Sequence, residues 1–184
     1  MHKPLRTAPA LVGLAAALAL SGCGDSTPDA EAPVEGVAAD DSADHAGERR
    51  PDFTLPDLAG NPRHIGEWNG DLVLLNFWAT WCPPCKKEMP LFQDTWEAHT
   101  DDGFTIVAVA VDEQTATEHF VADFGLEFPI LIGQEDAMEI GREYGNRIGA
   151  LPYSVLIDRD GTILDTHRGE VEPEDLEAWL DAHL

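Results

Sequence analysis

The chain has 184 residues, of which 43% are apolar, so it is long enough for one modest domain plus additional segments. Its 35 Asp and Glu residues outnumber 11 Lys and Arg residues and give a net charge of −24, which argues against binding to nucleic acids or anionic lipids through basic surfaces. Three cysteines are too few for a disulfide framework. After the first twenty residues, no apolar stretch is long enough to predict a membrane-spanning helix.

The first 22 residues have the pattern of an export signal. Two basic residues precede an Ala- and Leu-rich run at 8–20, which is short for a membrane span. The run ends in the sequence LSGC at 20–23, which resembles the lipobox of bacterial lipoproteins. The resemblance implies that Cys23 is lipidated and anchors the mature protein to a membrane, facing the periplasm or extracytoplasmic space. The alternatives are an ordinary signal peptide with an unmodified cysteine, and an uncleaved anchor.

Residues 23–52 are predicted to form an acidic, disordered tether. Acidic and small residues and prolines dominate this stretch, which contains no aromatic residue. Such a composition cannot bury enough apolar surface to offset the entropy of ordering the chain. The tether is interpreted as a leash that lets a domain reach its partners, or as a spacer with no further role.

Residues 53–184 show the alternation of strands and helices that is typical of an α/β domain. Two continuous apolar runs indicate strands that are buried on both faces of a sheet. In chain order, the predicted elements are a hairpin across 53–65, a strand at 72–78, a helix at 83–99, a strand at 104–111, a helix at 115–124, a strand at 128–132, a helix at 136–144, a hairpin of strands 153–158 and 162–166, and a helix at 173–184.

The chemistry is predicted to lie in Cys82-Pro83-Pro84-Cys85, at the start of the helix at 83–99. Unpaired backbone N–H groups and the positive end of the helix dipole favour a thiolate at this point. Cys82 is therefore the predicted nucleophile, and Cys85, one turn further on, is the predicted resolving thiol. Half of a zinc site has the same spacing, but the chain has no second C-x-x-C and its seven His are scattered. A structural disulfide is also disfavoured, because so short a loop adds little stability.

The run LLNFWATWCPPCKKEMP at 74–90 resembles the active-site region of thioredoxin-fold proteins. More specifically, it is similar to the membrane-anchored thiol–disulfide reductases of the TlpA/ResA and cytochrome c maturation type. VAVD at 109–112, GALP at 149–152 and LIDRDG at 156–161 extend the resemblance over about residues 51–184. The resemblance implies a thioredoxin-like domain over residues 53–184, with a mixed, mostly parallel sheet flanked by helices and an N-terminal hairpin extension. It implies no cofactor besides the cysteine pair, and no metal.

The resemblance also assigns roles to residues around the cysteines. It implies a cis bond before Pro152, whose loop, with Leu151, pairs with the substrate backbone beside the disulfide. Trp81 is expected to pack beside the cysteines and contact substrate. Glu88 resembles an acidic residue kept near the pair, where a carboxylate raises thiol pKa values or moves protons. A solvated carboxylate is the alternative interpretation of Glu88.

Two residues depart from the family pattern. Asn76 stands where many thioredoxins have a buried Asp, and because an amide cannot accept that proton, we interpret Asn76 as structural and expect Glu88 or water to carry the acid–base chemistry. Tyr153 stands where a smaller polar residue is common, so we expect it to alter the substrate groove.

These features predict a lipid-anchored enzyme that reduces disulfides in exported proteins, including apocytochrome c, and is itself reduced by a membrane electron donor. A disulfide-forming oxidase is an alternative, because the dipeptide between the cysteines does not fix the direction of transfer. A redoxin-type peroxidase is disfavoured by the C-P-P-C motif, and a metal-handling module would need Cys82, Cys85 and a His. The acidic surface indicates adaptation to high salt or a basic partner such as a cytochrome.

Overall fold

The computed structural model describes residues 45–184; the predicted export signal, Cys23 and most of the predicted tether lie outside the described residues. The elements are β1 (Thr54–Pro56), β2 (Pro62–His64), β3 (Leu72–Trp78), α1 (Pro83–His99), β4 (Phe104–Ala110), α2 (Gln114–Phe124), β5 (Ile130–Ile132), α3 (Gln134–Glu143), β6 (Tyr153–Ile157), β7 (Ile163–Arg168) and α4 (Pro173–His183). Each element predicted after residue 52 is present, with its bounds within two residues of the prediction.

The central sheet has five strands in the order β5-β4-β3-β6-β7. β3 and β5 run parallel to β4, whereas β6 runs antiparallel to both β3 and β7. Four of the five strands therefore point in one direction, and the prediction of a mixed, mostly parallel sheet is confirmed. β1 and β2 form the predicted N-terminal hairpin, which touches β5 through a bridge between Asp57 and Leu131.

The alternation of side chains along β3 divides the core into two clusters, one on each face of the sheet. One face, here called the α1 face, packs against α1, α2 and α4, and its buried residues include Leu72, Leu74, Trp78, Cys82, Cys85, Met89, Phe92, Phe120, Leu176 and Trp179. The other, here called the α3 face, packs against α3 and the N-terminal hairpin, and includes Val73, Leu75, Phe77, Ala137, Tyr144, Tyr153 and Val155. The cysteines thus belong to the α1 face.

The last residues of the predicted tether pack against the domain. The backbone N–H of Gly47 donates to the Ile163 carbonyl at 2.8 Å, and that of Arg50 donates to the Gly161 carbonyl at 2.9 Å. Arg50 is buried, and its guanidinium donates to the Asn69 side chain at 2.9 Å. The folded unit therefore begins before residue 53, because backbone pairing with β7 orders a segment whose composition alone predicts disorder.

Within residues 45–184, no helix is long and apolar enough to cross a membrane. The longest of these helices, α1, runs through Pro90 without interruption, and Pro90 is exposed.

Candidate active site

Cys82 and Cys85 form a disulfide at the start of α1. Cys82 is the N-cap residue of the helix, and its sulfur accepts a hydrogen bond from the backbone N–H of Cys85 at 3.4 Å. The two prolines occupy the first helical positions, where the helix needs no backbone N–H donor. Cys82 is 4% exposed and Cys85 is completely buried. Both cysteines therefore belong to the buried core of the α1 face, and Cys82, at the helix N-cap, is the one of the two that keeps some exposure.

Asp112 fixes the loop that leads into Cys82. Its carboxylate lies just beyond β4 and accepts hydrogen bonds from the backbone N–H of Thr80 at 2.9 Å and from the Thr80 hydroxyl at 2.6 Å. β3 and β4 are parallel and adjacent, so their carboxyl ends bring Thr80 and Asp112 to the same edge of the sheet. In the sequence, Asp112 belongs to the VAVD motif at 109–112, but the motif alone indicates no role for it.

The loop before β6 lies at this same edge. Tyr153, the first residue of β6, pairs with Phe77 near the end of β3. The Leu151–Pro152 bond is cis, Pro152 is buried, and Leu151 is half-buried. The Asn146 side chain closes the loop by donating to the Ala150 carbonyl at 2.8 Å and accepting from the Ala150 N–H at 2.9 Å. The sheet thus brings the cysteine loop and the Pro152 loop to one end of the domain.

Trp81 and Tyr153 lie differently from the sequence-based expectation. Trp81 is 65% exposed, so its ring offers a contact surface next to Cys82 and does not cover the disulfide as a packed side chain would. Tyr153 is buried on the α3 face, where its hydroxyl donates to the Tyr144 carbonyl at 2.8 Å. The expectation that Tyr153 alters the substrate groove is therefore wrong, because strand alternation points its side chain to the face opposite the cysteines.

Glu88, which lies one turn beyond Cys85 on α1, is buried in a small polar network. One carboxylate oxygen, Oε1, accepts from Asn76 Nδ2 at 2.9 Å, and the other, Oε2, accepts from the backbone N–H of Val171 at 2.9 Å. Asn76 Nδ2 also donates to the Ser154 hydroxyl at 2.9 Å. Glu88 is 1% exposed, while Asn76 and Ser154 are completely buried. The solvated interpretation of Glu88 is thus wrong.

Burial raises the pKa of Glu88 from 4.5 to about 8. The hydrogen bonds from Val171 and Asn76 oppose this rise, and the nearby carboxylate of Glu170 adds to it. A carboxyl with this pKa is mostly protonated at pH 7 and exchanges its proton in the range where thiols react. Glu88 therefore has the burial and the pKa of a group that transfers protons near neutral pH.

Across the described range 45–184, no group of three His, Cys, Asp or Glu side chains is arranged to hold a metal ion. The sequence also missed three supports of the site: Asn146, Ser154 and the N–H of Val171. A serine within the apolar strand β6 was a usable signal for Ser154, since polar residues in buried strands need partners. The N–H of Val171 left no signal, because every non-proline residue carries that donor.

A disulfide at a helix N-terminus, a cis-proline loop at the same edge of the sheet and a buried carboxyl one turn along the helix define a thiol–disulfide oxidoreductase with a thioredoxin-like fold. Residues 46–166 match the AhpC/TSA family, and the chain belongs to this family. The thiol-disulfide oxidoreductase ResA of Bacillus thuringiensis strain Al Hakam is 37% identical over 147 residues, which cover 79% of this chain and 83% of the relative. Protein-disulfide oxidoreductase activity follows from this relationship and from the cysteine pair.

Solved structures agree with this assignment. A protein described as thiol:disulfide interchange protein DsbE from Chlorobium tepidum has a TM-score of 0.67 and 33% identity, covering 74% of this chain and 96% of its own. StoA from Bacillus subtilis has a TM-score of 0.58 and 33% identity, covering 71% of this chain and 96% of its own.

Proposed function

We propose that this protein is a membrane-anchored reductase of disulfides in exported proteins. The proposal rests on the cysteine pair at the N-terminus of α1, in which Cys82, the N-cap residue with 4% exposure, is the proposed attacking cysteine, and Cys85, which is completely buried, is the proposed resolving cysteine. Cys82 lies at the N-terminus of α1, where backbone N–H groups and the helix dipole stabilise its thiolate.

The proposed cycle starts from the reduced dithiol. The Cys82 thiolate attacks a substrate disulfide, forms a mixed disulfide and expels one substrate thiolate, which takes up a proton. Cys85 then loses its proton, attacks the Cys82 sulfur and expels the second substrate thiolate. The substrate gains two electrons, the enzyme loses two electrons, and the Cys82–Cys85 disulfide is the oxidised product. A donor dithiol at the membrane must then reduce this disulfide.

Glu88 supports the proposal because resolution requires a proton acceptor near Cys85. Cys85 and Glu88 are three residues apart on α1, which puts them on similar faces of the helix. A carboxylate at Glu88 can take the proton that Cys85 loses. In the same ionised form, it disfavours a neighbouring thiolate, which raises the thiol pKa and moves the couple toward a reducing potential.

Trp81, Leu151 and Pro152 are the proposed substrate contacts. Support comes from the exposed ring of Trp81 and from the sheet edge that the Pro152 loop shares with the cysteine loop. The strongly acidic chain favours substrates or donors with basic surfaces, and an apocytochrome c fits that description as one acceptor. We place the protein outside the cytoplasm, attached through lipidated Cys23, on the basis of the export-signal pattern at 1–22.

Trapping of mixed disulfides tests the roles of the two cysteines. With Cys85→Ala, resolution is lost while attack survives, so a substrate disulfide should accumulate on Cys82 as a stable adduct on a non-reducing gel. The matched variant Cys82→Ala removes the nucleophile and should trap little. The reverse pattern would contradict the assignment.

The direction of transfer needs a separate measurement. Equilibration with thiol redox buffers should give the Cys82–Cys85 couple a potential below about −250 mV, in the range of thioredoxin. A value near about −120 mV would identify a disulfide-forming oxidase instead.

A further inference from the structure

Asn76 has an unequal set of hydrogen bonds. Its Nδ2 group donates to two oxygens, Glu88 Oε1 and Ser154 Oγ, each at 2.9 Å. Its Oδ1 atom is buried and has no hydrogen-bond partner among residues 45–184. A buried amide oxygen without a donor is costly, so this arrangement needs a reason.

The two oxygens of Glu88 differ in what they can exchange. Oε2 faces the backbone N–H of Val171, which can only donate, so a proton on Oε2 would meet another hydrogen. Oε1 faces the Asn76 side chain, which carries a donor at one end and an acceptor at the other. A proton taken up by Glu88 is therefore expected on Oε1. In the observed orientation of Asn76, the Nδ2 group already donates a hydrogen to Oε1, so a proton there has no acceptor.

We propose that Asn76 is a positioning residue that turns its amide over when Glu88 gains or loses a proton. With Glu88 ionised, Nδ2 donates to Glu88 Oε1 and to Ser154, as observed. With Glu88 protonated, Oδ1 occupies that position and accepts from the Glu88 O–H and from the Ser154 O–H. One end of the amide lacks a partner in either orientation, so the exchange costs little, and Glu88 can titrate in a site where water is excluded.

Other charged groups near Glu88 do not supply this acceptor. From α1, Lys87 pairs with Glu170 of the loop before α4, at 3.1 Å. Glu170 faces Glu88 as a second negative charge, which raises the pKa of Glu88. Cys85 lies one turn earlier on α1, and in the oxidised protein its sulfur is held in the disulfide. β3 and β6 contribute Asn76 and Ser154, so Asn76 is the described partner of Oε1 that can switch from donor to acceptor.

The inference rests on the proposed role of Glu88 in proton transfer, but it can be tested without catalysis. In the oxidised, isotope-labelled full chain, we expect the Asn76 side-chain amide and the Glu88 carboxyl carbon to titrate together in NMR spectra, with a midpoint near pH 8. At pH 9.5, the Asn76 amide protons should show nuclear Overhauser effects to the side chains of Glu88 and Ser154. At pH 6, these effects should disappear as the amide turns over.

Glu88→Gln provides the matched control. Its side-chain oxygen should accept from the Val171 N–H, which leaves its NH₂ group facing Asn76 and requires Asn76 to present Oδ1. The Asn76 signals should then match the pH 6 pattern of the wild type at every pH. In Asn76→Leu, checked for folding by circular dichroism, the Glu88 midpoint should rise, because the ionised form loses a donor.

Three results would overturn the inference: nuclear Overhauser effects that persist unchanged at pH 6, an Asn76 amide that still titrates in Glu88→Gln, or a Glu88 carboxyl that does not titrate between pH 5 and 10. Because none of these measurements involves a substrate, they are separate from the test of the proposed function. A protein whose Asn76 turns over but whose potential is that of an oxidase would contradict only the proposed function.

Discussion

Replacing Glu88 by Gln should remove a large pH dependence from the stability of the folded protein. The pKa of Glu88 is 4.5 in an unfolded chain and about 8 in the folded one, so the folded protein holds this proton more tightly. The stability that this proton provides is fully present below pH 4.5 and is lost as the pH rises through 8. At about 1.4 kcal/mol per pKa unit, the loss amounts to about 5 kcal/mol across that interval.

Urea unfolding of the oxidised protein, followed by tryptophan fluorescence from pH 5 to pH 9 at constant ionic strength, measures this effect. Because Gln stays neutral, the free energy of unfolding of the wild type minus that of Glu88→Gln should fall by about 1.4 kcal/mol per pH unit until about pH 8 and then level off. Asp94→Asn, which removes an exposed carboxylate from the same helix, controls for the loss of one negative charge. A difference between wild type and Glu88→Gln that is constant across the range would refute the burial argument.

Further predictions concern the anchor, the substrate contact, the core and the potential. Wild-type protein should partition into the detergent phase and Cys23→Ala should not; equal partitioning of the two proteins would contradict the proposal that Cys23 carries a lipid. Trp81→Ala should raise the KM for a protein disulfide in a turbidity assay of reduction while changing stability by less than about 0.5 kcal/mol, because the ring is exposed. Phe92→Ala, at a fully buried position, should cost about 3–5 kcal/mol in urea unfolding, and a cost under about 1 kcal/mol would contradict the packing. In Glu88→Gln, the reduction potential of the Cys82–Cys85 couple should be less reducing than in the wild type, by about 30 mV per unit of thiol pKa shift. The difference between the two proteins should be wider at pH 9 than at pH 7. Equal potentials of wild type and variant at both pH values would exclude a charge effect.

The long elements could be predicted because local pattern and tertiary environment agree in them. β3 is apolar at every position except Asn76 and has every residue buried, and α1 begins where two prolines fit its first positions. β5 is the weaker case, since it begins at Ile130 and not at Phe128. Pro129 has no N–H to donate, although its carbonyl accepts from the Ala108 N–H at 2.9 Å. The reversed direction of β6 follows from long-range pairing, which no local pattern encodes.

Spacing alone left Glu88 undecided between water and the cysteines, because its hydrogen-bond partners, Asn76 and Val171, come from two distant segments. One clue was available in β3. Leu72, Leu74 and Trp78 lie on the α1 face, so strand alternation puts Asn76 on that face as well. A buried amide there requires a polar partner from a helix packed on that face, and Glu88 follows Cys85 by one turn of α1. The face on which Asn76 lies in β3 and the face on which Glu88 lies in α1 therefore together favour a buried Glu88. The N–H of Val171, which binds the other carboxylate oxygen, could not be predicted in this way, because its position depends on the path of the loop before α4.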